Sequence, residues 1–254
     1  MGLRLDDYRG IGQHVSPRLA VIKQINDVHT VKLLYGEAFR APGINETDLI
    51  NNPVQLGNPD LQPETVKTWE LIWLAEWKHT ALHLGYFDNQ FADSIVLFPT
   101  GQGQLLRFEN RAQSPSKGVE VEMSQEFAPH WLLRMSGMRL TETPQDAFRE
   151  AKYMLSLMVN YQRSAWNANL SLVQHGSRQM IANNDANNLL TLDSYQQLDG
   201  RLLYAWSNTL DLHFDVNNLL DTDIRSPPQV SSLPEGIPDR GRNWRLGLVW
   251  QLPW

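Results

Sequence analysis

The chain has 254 residues, 42% hydrophobic and 20% charged, with a formal net charge of -6 and a sequence pI near 5.6. That length can bury a sizeable core, while the acidic balance and the lack of any Lys/Arg cluster argue against a nucleic-acid partner. The absence of cysteine excludes disulfides and thiolate metal sites.

No stretch approaches the roughly 18 consecutive apolar residues of a membrane helix, and the mean hydropathy of -0.40 is that of a soluble protein. A membrane β-barrel has the same average, because lipid-facing and lumen-facing side chains alternate along each strand. The opening MGLRLDDYRG has neither the charged n-region nor the apolar h-region of a signal peptide. No export signal is therefore expected in this chain.

The sequence predicts strands at about 2–6, 16–25, 29–38, 64–77, 79–98, 104–127, 130–141, 150–163, 166–178, 194–206, 209–218 and 242–253. Trp69, Leu71, Trp73, Ala75 and Trp77 form one apolar face, with Ile72 and Leu74 blurring its polar partner. Val119, Val121, Met123 and Phe127 alternate with Glu120, Glu122, Ser124 and Glu126. Tyr153, Leu155, Leu157, Val159 and Tyr161 alternate with a polar phase interrupted by Met154 and Met158, and Leu210, Leu212, Phe214 and Val216 with Asp211, His213, Asp215 and Asn217. The last strand is the clearest, with Trp244, Leu246, Leu248, Trp250, Leu252 and Trp254 on one phase. The stretch from Trp131 to Leu140 has no assignable phase.

Alternation alone says all-β, which a soluble sandwich also satisfies. Connection lengths go further. Tight links at Ile25-Asn26-Asp27, Trp77-Lys78, Ala128-Pro129, Arg163-Ser164 and Ser207-Asn208 alternate with polar loops at about 39–63, 99–103, 142–149, 179–193 and 219–241. Short turns at one rim and long loops at the other is the geometry of outer-membrane barrels. Trp69, Trp77, Trp131, Trp166, Trp206, Trp250 and Trp254 are expected near strand ends, at the headgroup level where an amphipathic ring sits half wet.

Two runs, Tyr35-Gly36-Glu37-Ala38-Phe39-Arg40-Ala41-Pro42 and Gly57-Asn58-Pro59-Asp60-Leu61-Gln62-Pro63-Glu64, resemble the paired signature that TonB-dependent receptors carry around one extracellular loop. Phe108-Glu109-Asn110 with Lys117-Gly118-Val119-Glu120 is similar to another of that family's strands, and Val216-Asn217-Asn218-Leu219-Leu220-Asp221 to its penultimate strand end. Gly241-Arg242-Asn243-Trp244-Arg245-Leu246-Gly247-Leu248 resembles its C-terminal signature. The resemblance implies an all-β, antiparallel transmembrane β-barrel of outer-membrane type, of which residues 1–254 would supply about 12 of roughly 22 strands and no plug domain. A truncated product, or a fragment of a longer reading frame, is the expectation. The resemblance further implies energy-coupled uptake of a scarce ligand, most commonly a ferric siderophore. TonB would be engaged only through the missing plug, outer-membrane lipid would surround the barrel, and the terminal face ending in Trp254 would be read by the barrel-assembly machinery.

From the residues themselves, Pro42, Pro53, Pro59 and Pro63 remove donors and fix φ, so they keep a loop irregular between registered strands. Gly118 inside a strand predicts a bend or a close backbone approach. His79 and His83 would lie about 13 Å apart on one strand face, too far to share a metal. The Gly101-Gln102-Gly103 turn lacks the context of a phosphate cradle. Asn183, Asn184, Asp185, Asn187 and Asn188 could ligate calcium but are better read as a solvated loop. No metal, cofactor or enzyme activity is expected. The competing readings are an autonomous outer-membrane pore of about 12 strands and a soluble all-β binding module.

Overall fold

The structure is a computed structural model, and it describes residues 1–8, 12–100, 105–111, 114–144, 149–182, 185–228 and 235–251. In chain order the elements are β1 (Gly2–Tyr8), β2 (Gly12–Gln24), β3 (His29–Arg40), α1 (Ile44–Thr47), β4 (Gln55–Leu56) and β5 (Glu64–Trp77). There follow β6 (Thr80–Ala92), β7 (Ser94–Pro99), β8 (Leu106–Arg111), β9 (Ser114–Ala128), β10 (Trp131–Glu142), β11 (Tyr153–Arg163) and β12 (Trp166–His175). The chain ends with β13 (Arg178–Ala182), β14 (Asp185–Leu192), β15 (Tyr195–Ser207), β16 (Leu210–Asn217), β17 (Arg225–Ser226), β18 (Ile237–Pro238) and β19 (Asn243–Trp250).

Twelve of these form one antiparallel sheet in the order β1-β2-β3-β5-β6-β9-β10-β11-β12-β15-β16-β19. Each member lies beside the strands that precede and follow it along the chain, so the wall is a meander. The tight links all lie at one rim. Asn26 closes the first of them by accepting hydrogen bonds from the Val28 and His29 N–H groups at 2.9 and 2.8 Å, and His130 and Ser164 take positive φ in two others. The long connections at the other rim carry their own structure: a three-stranded sheet β4-β8-β7, the hairpin β13-β14 and the short pair β17-β18.

Two predicted strands are each broken in two. The 79–98 stretch leaves the wall after Ala92 and turns through Asp93, at φ 56, before β7 begins. Asp tolerates the left-handed region better than most residues, and the apolar run continues past the kink, which hides it from the pattern. The 104–127 stretch is likewise divided into β8 and β9. Gly118 lies beside a register shift between Leu140 and Glu142 on β10. A Cβ there would stand 2.6 Å from the Phe87 ring and 2.8 Å from the Arg139 carbonyl oxygen, so only glycine fits.

Among the described residues there is no sealed interior between layers. Its accessible surface is 17219 Å², against roughly 11,000 Å² for a compact globular monomer of this mass. Phe127 is 54% exposed, Trp250 66% and Leu246 81%. Buried apolar side chains among the described residues are Leu61, Ala75, Ala151, Met180, Leu192, Val216 and Ile224. Only Ala75 and Val216 of these belong to the wall.

Candidate functional site

Register sorts every wall residue onto one of two faces. On the first, Leu71 opposes Tyr86, Leu84 opposes Val121, Met123 opposes Met135, and Leu157 opposes Leu172. Leu202 opposes Phe214 and Phe214 opposes Leu246 on that same face. Strand β10 now has a phase: Trp131, Leu133, Met135, Gly137 and Arg139 share the apolar face with Tyr161, Val159, Leu157, Leu155 and Tyr153. The sequence could not show it because Leu132, Met138 and Leu140 put apolar groups on the other phase too.

The opposite face is polar and internally bonded. Arg201 pairs with Asp215 at 2.9 Å, His213 lies 3.9 Å from the same carboxylate, and His83 lies 3.5 Å from Glu120. Thr68 donates to Asn89 at 2.8 Å, and Asn217 to Asn243 at 3.0 Å. Glu120, Glu122, Arg201, Asp211 and His213 all fall on this phase. His79 faces a different carboxylate from His83, with Nδ1 at 3.3 Å from Glu126.

Aromatic rings gather in two belts on the apolar face. At the turn rim, Trp131 lies 4.7 Å from Tyr161 and Trp166 4.4 Å from Tyr204 between ring centroids, with Trp77, Trp206 and Trp250 at neighbouring strand ends. Towards the other rim, Tyr35 lies 4.5 Å from Trp69, and Phe214 stacks on Trp244 at 5.6 Å. Trp69 is inside β5 rather than at its end, because that strand runs on beyond the belt. From Trp69 to Trp77 is about 27 Å of strand, which at the tilt of such walls covers most of an apolar band about 25 Å tall. Of the terminal face, Trp244, Leu246, Leu248 and Trp250 lie along the exposed edge strand β19, while Leu252 and Trp254 lie outside the described residues.

The motif residues converge in the connections, where they hold loops to each other. Arg40, at the end of β3, donates from Nε to Glu64 at 2.6 Å and from both terminal nitrogens to Glu46 at 2.8 and 3.0 Å. Glu46 also accepts the Gly43 N–H at 2.7 Å, capping α1. The Arg40 guanidinium pulls the Glu46 carboxyl below the usual carboxylate range, with burial opposing it and the Gly43 N–H adding to it. Glu64 reaches on to the Ile95 N–H at 2.5 Å. Asn110 clamps the same loop pair, exchanging two hydrogen bonds with the Gln62 backbone at 2.8 and 2.9 Å and donating to the Asp93 carbonyl at 2.6 Å. Asn58 accepts from Arg107 at 2.9 Å, and Leu61 is buried beside it in sequence. At Gly57 a Cβ would lie 2.5 Å from the Leu49 nitrogen and 2.6 Å from the Thr47 carbonyl oxygen, so the loop closes only on glycine.

The other motif residues have separate duties. Tyr35 bonds Glu37 through its hydroxyl, Gly36 faces the Arg18 side chain, and Phe39 packs on His14 at 4.1 Å and Tyr8 at 5.6 Å. Pro42, Pro59 and Pro63 lie between strands, in the loop the latch holds. Asn218, at φ 53 and 2% exposed, donates to the Thr222 carbonyl at 2.8 Å, accepts its N–H at 3.0 Å, and gives its own N–H to Asp199 at 2.8 Å. The Leu219 N–H goes to the Leu198 carbonyl at 2.7 Å. Glu46, Arg107 and Asp199 were not singled out from sequence, since each acts on a partner that only folding brings near.

A second loop pair is joined differently. Arg178, Met180, Leu190 and Leu192 share one face of the β13-β14 hairpin. Arg178 donates to the Arg225 carbonyl at 2.5 Å and stands over the Tyr195 ring at 5.4 Å, and Leu192 approaches Gly236, where a Cβ would lie 3.2 Å from it. Of the polar run near the hairpin tip, Asn183 and Asn184 lie outside the described residues, and Asp185, Asn187 and Asn188 are strand rather than loop. Gly101, Gln102 and Gly103 also lie outside them.

The comparisons with known proteins agree with this architecture. Residues 1–219 match the family model "TonB dependent receptor-like, beta-barrel". The chain is 25% identical over 272 residues to the "Iron-regulated outer membrane virulence protein" of Vibrio cholerae, covering 97% of this chain and 41% of that one. It is 23% identical over 245 residues to the "Vitamin B12 transporter BtuB" of Vibrio vulnificus, covering 95% and 38%. It superposes on the crystal structure of the siderophore receptor PirA from Acinetobacter baumannii with a TM-score of 0.80 at 20% identity, covering 98% of this chain and 42% of the other. The chain thus spans about two fifths of the length of the relatives it matches, and its sheet is a partial barrel. It belongs to the TonB-dependent receptor family, as a stretch of the β-barrel wall.

Proposed function

We propose that this wall takes part in energy-coupled uptake of a ferric siderophore across the outer membrane. In this reading the apolar face meets hydrocarbon, the polar face lines a lumen occupied by a plug, and the latched loops shape the outer mouth. The observation that carries it is the separation of faces by register, with large apolar side chains exposed on one and a bonded polar ladder on the other, interrupted at Ile72, Leu74, Leu132, Met138 and Leu140. Siderophore is preferred as ligand because PirA is described as a siderophore receptor and the Vibrio cholerae relative as iron-regulated, while BtuB marks a cobalamin as the second choice. The plug supplies the link to TonB. The exposed row Trp244 to Trp250 on β19 is the surface we assign to the barrel-assembly machinery.

Cysteine placed at Glu120 should react with a water-soluble maleimide in membranes, and cysteine at the adjoining Val121 should be protected. The reverse order would invert the faces and sink the reading. Iron-starved cells carrying the intact receptor should take up radiolabelled ferric siderophore in a TonB-dependent manner. Conductance without TonB would favour a free-standing pore, and recovery in the soluble fraction a soluble module.

A further inference from the structure

On the apolar face, where β9, β10 and β11 approach the loop rim, the β13-β14 hairpin stands over the wall and encloses an open groove of about 930 Å³. The floor is apolar. Val119, Val121 and Leu155 line it, and the Leu155 side chain closes over Gly137, where a Cβ would lie 2.6 Å from Leu155 and 3.4 Å from Val121. Gln179 and Thr191, on the hairpin face turned away from Met180, form the overhang.

Among the described residues the rim carries two cations and one carboxylate. Arg139 sits on the apolar phase, opposite both Val119 and Tyr153, where a bilayer-facing charge is out of place unless something anionic meets it. Lys152, opposite Leu140 at the entry to β11, also lines the groove. Neither has an ion-pair partner among the described residues. Glu150 is the acidic group at the mouth. Glu120 also borders the groove, but its side chain turns to the other face, against Gly85 and His83.

We propose that this groove binds an anionic, acyl-bearing lipid, with the phosphate between Arg139 and Lys152 and a chain laid along the apolar floor of Val119, Val121 and Leu155. The assignment rests on the apolar face meeting lipid. Long cationic side chains at the end of a membrane band extend towards headgroup phosphates, and Tyr153, on the apolar face at the first position of β11, is an amphipathic ring of the kind that favours that level.

The test titrates the detergent-solubilised protein with phosphatidylglycerol, with phosphatidylcholine of the same chains and with inorganic phosphate, counting retained lipid by native mass spectrometry. Phosphatidylglycerol should bind at roughly tenfold lower concentration than phosphatidylcholine, and the double variant Arg139→Gln/Lys152→Gln should abolish that preference. Leu155→Gln, which makes the floor polar, should weaken both lipids together, and if that variant does not fold the charge variant still decides. Equal binding of the two lipids, or a preference that survives the charge variant, overturns the site. Complete displacement by inorganic phosphate makes it a phosphate site and overturns the lipid. Carbonate extraction of vesicle-bound wild type separates the premises: release of the protein defeats the lipid-facing reading itself, whereas retention without selectivity defeats the groove alone.

Discussion

The two loop pairs are held by opposite chemistry. Between 41–63 and 94–111 the contacts are ionic and amide hydrogen bonds centred on Arg40, Glu64 and Asn110, with Leu61 as the buried apolar residue. Between 178–192 and 219–242 the joint is largely apolar, with Met180, Leu192 and Ile224 buried and one guanidinium, Arg178, reaching a carbonyl. A polar latch fixes direction, because each bond has a required geometry, but water competes for it. An apolar joint fixes less and resists solvent more.

The sharpest way to separate the two is Met180→Ala. Emptying that buried site should cost about 2–3 kcal/mol, the low end for such truncations because a loop can settle into the gap. Hydrogen exchange should speed up through 178–192 and leave 41–63 unchanged; equal acceleration of both would mean that they open as one unit. Arg40→Ala should cost about 1–2 kcal/mol, since it removes three charge-assisted bonds from a half-exposed site. Limited proteolysis should then cut within 41–63 and spare the hairpin.

Acid makes the finest distinction. The Glu46 carboxyl titrates below its ordinary value of 4.5 when the latch is closed. The stabilisation is therefore fully present above that value and is lost as pH falls through the depressed one. Exchange across 41–63 should rise only below about pH 4.5, with 178–192 lagging behind. A first loop pair that loosens already between neutrality and pH 5 would show that another group controls it.

The wall was legible in the sequence because period two is imposed by geometry: each of the twelve strands of the sheet overlaps one of the predicted stretches, although β1, β2, β3, β9, β10 and β15 run past the predicted bounds. It failed where that rule carries no information. Strand β10 has apolar groups on both faces, and the kink at Asp93 interrupts no pattern. The motif residues were visible as motifs, but their work was not. Asn110 bonds Gln62 across 48 positions, and no spacing in a linear text announces that. The β13-β14 hairpin was hidden by its Asn-rich tip, which reads as loop although its root is a buried joint.

Because the wall is a meander, every long connection hangs from a single hairpin, and its two roots are set by strands that pair with their own chain neighbours. Replacing one connection shifts no register elsewhere. The connections can therefore change one at a time while the paired scaffold stays unaltered, except at the two joints, where a change on one side must be answered by a change on the other.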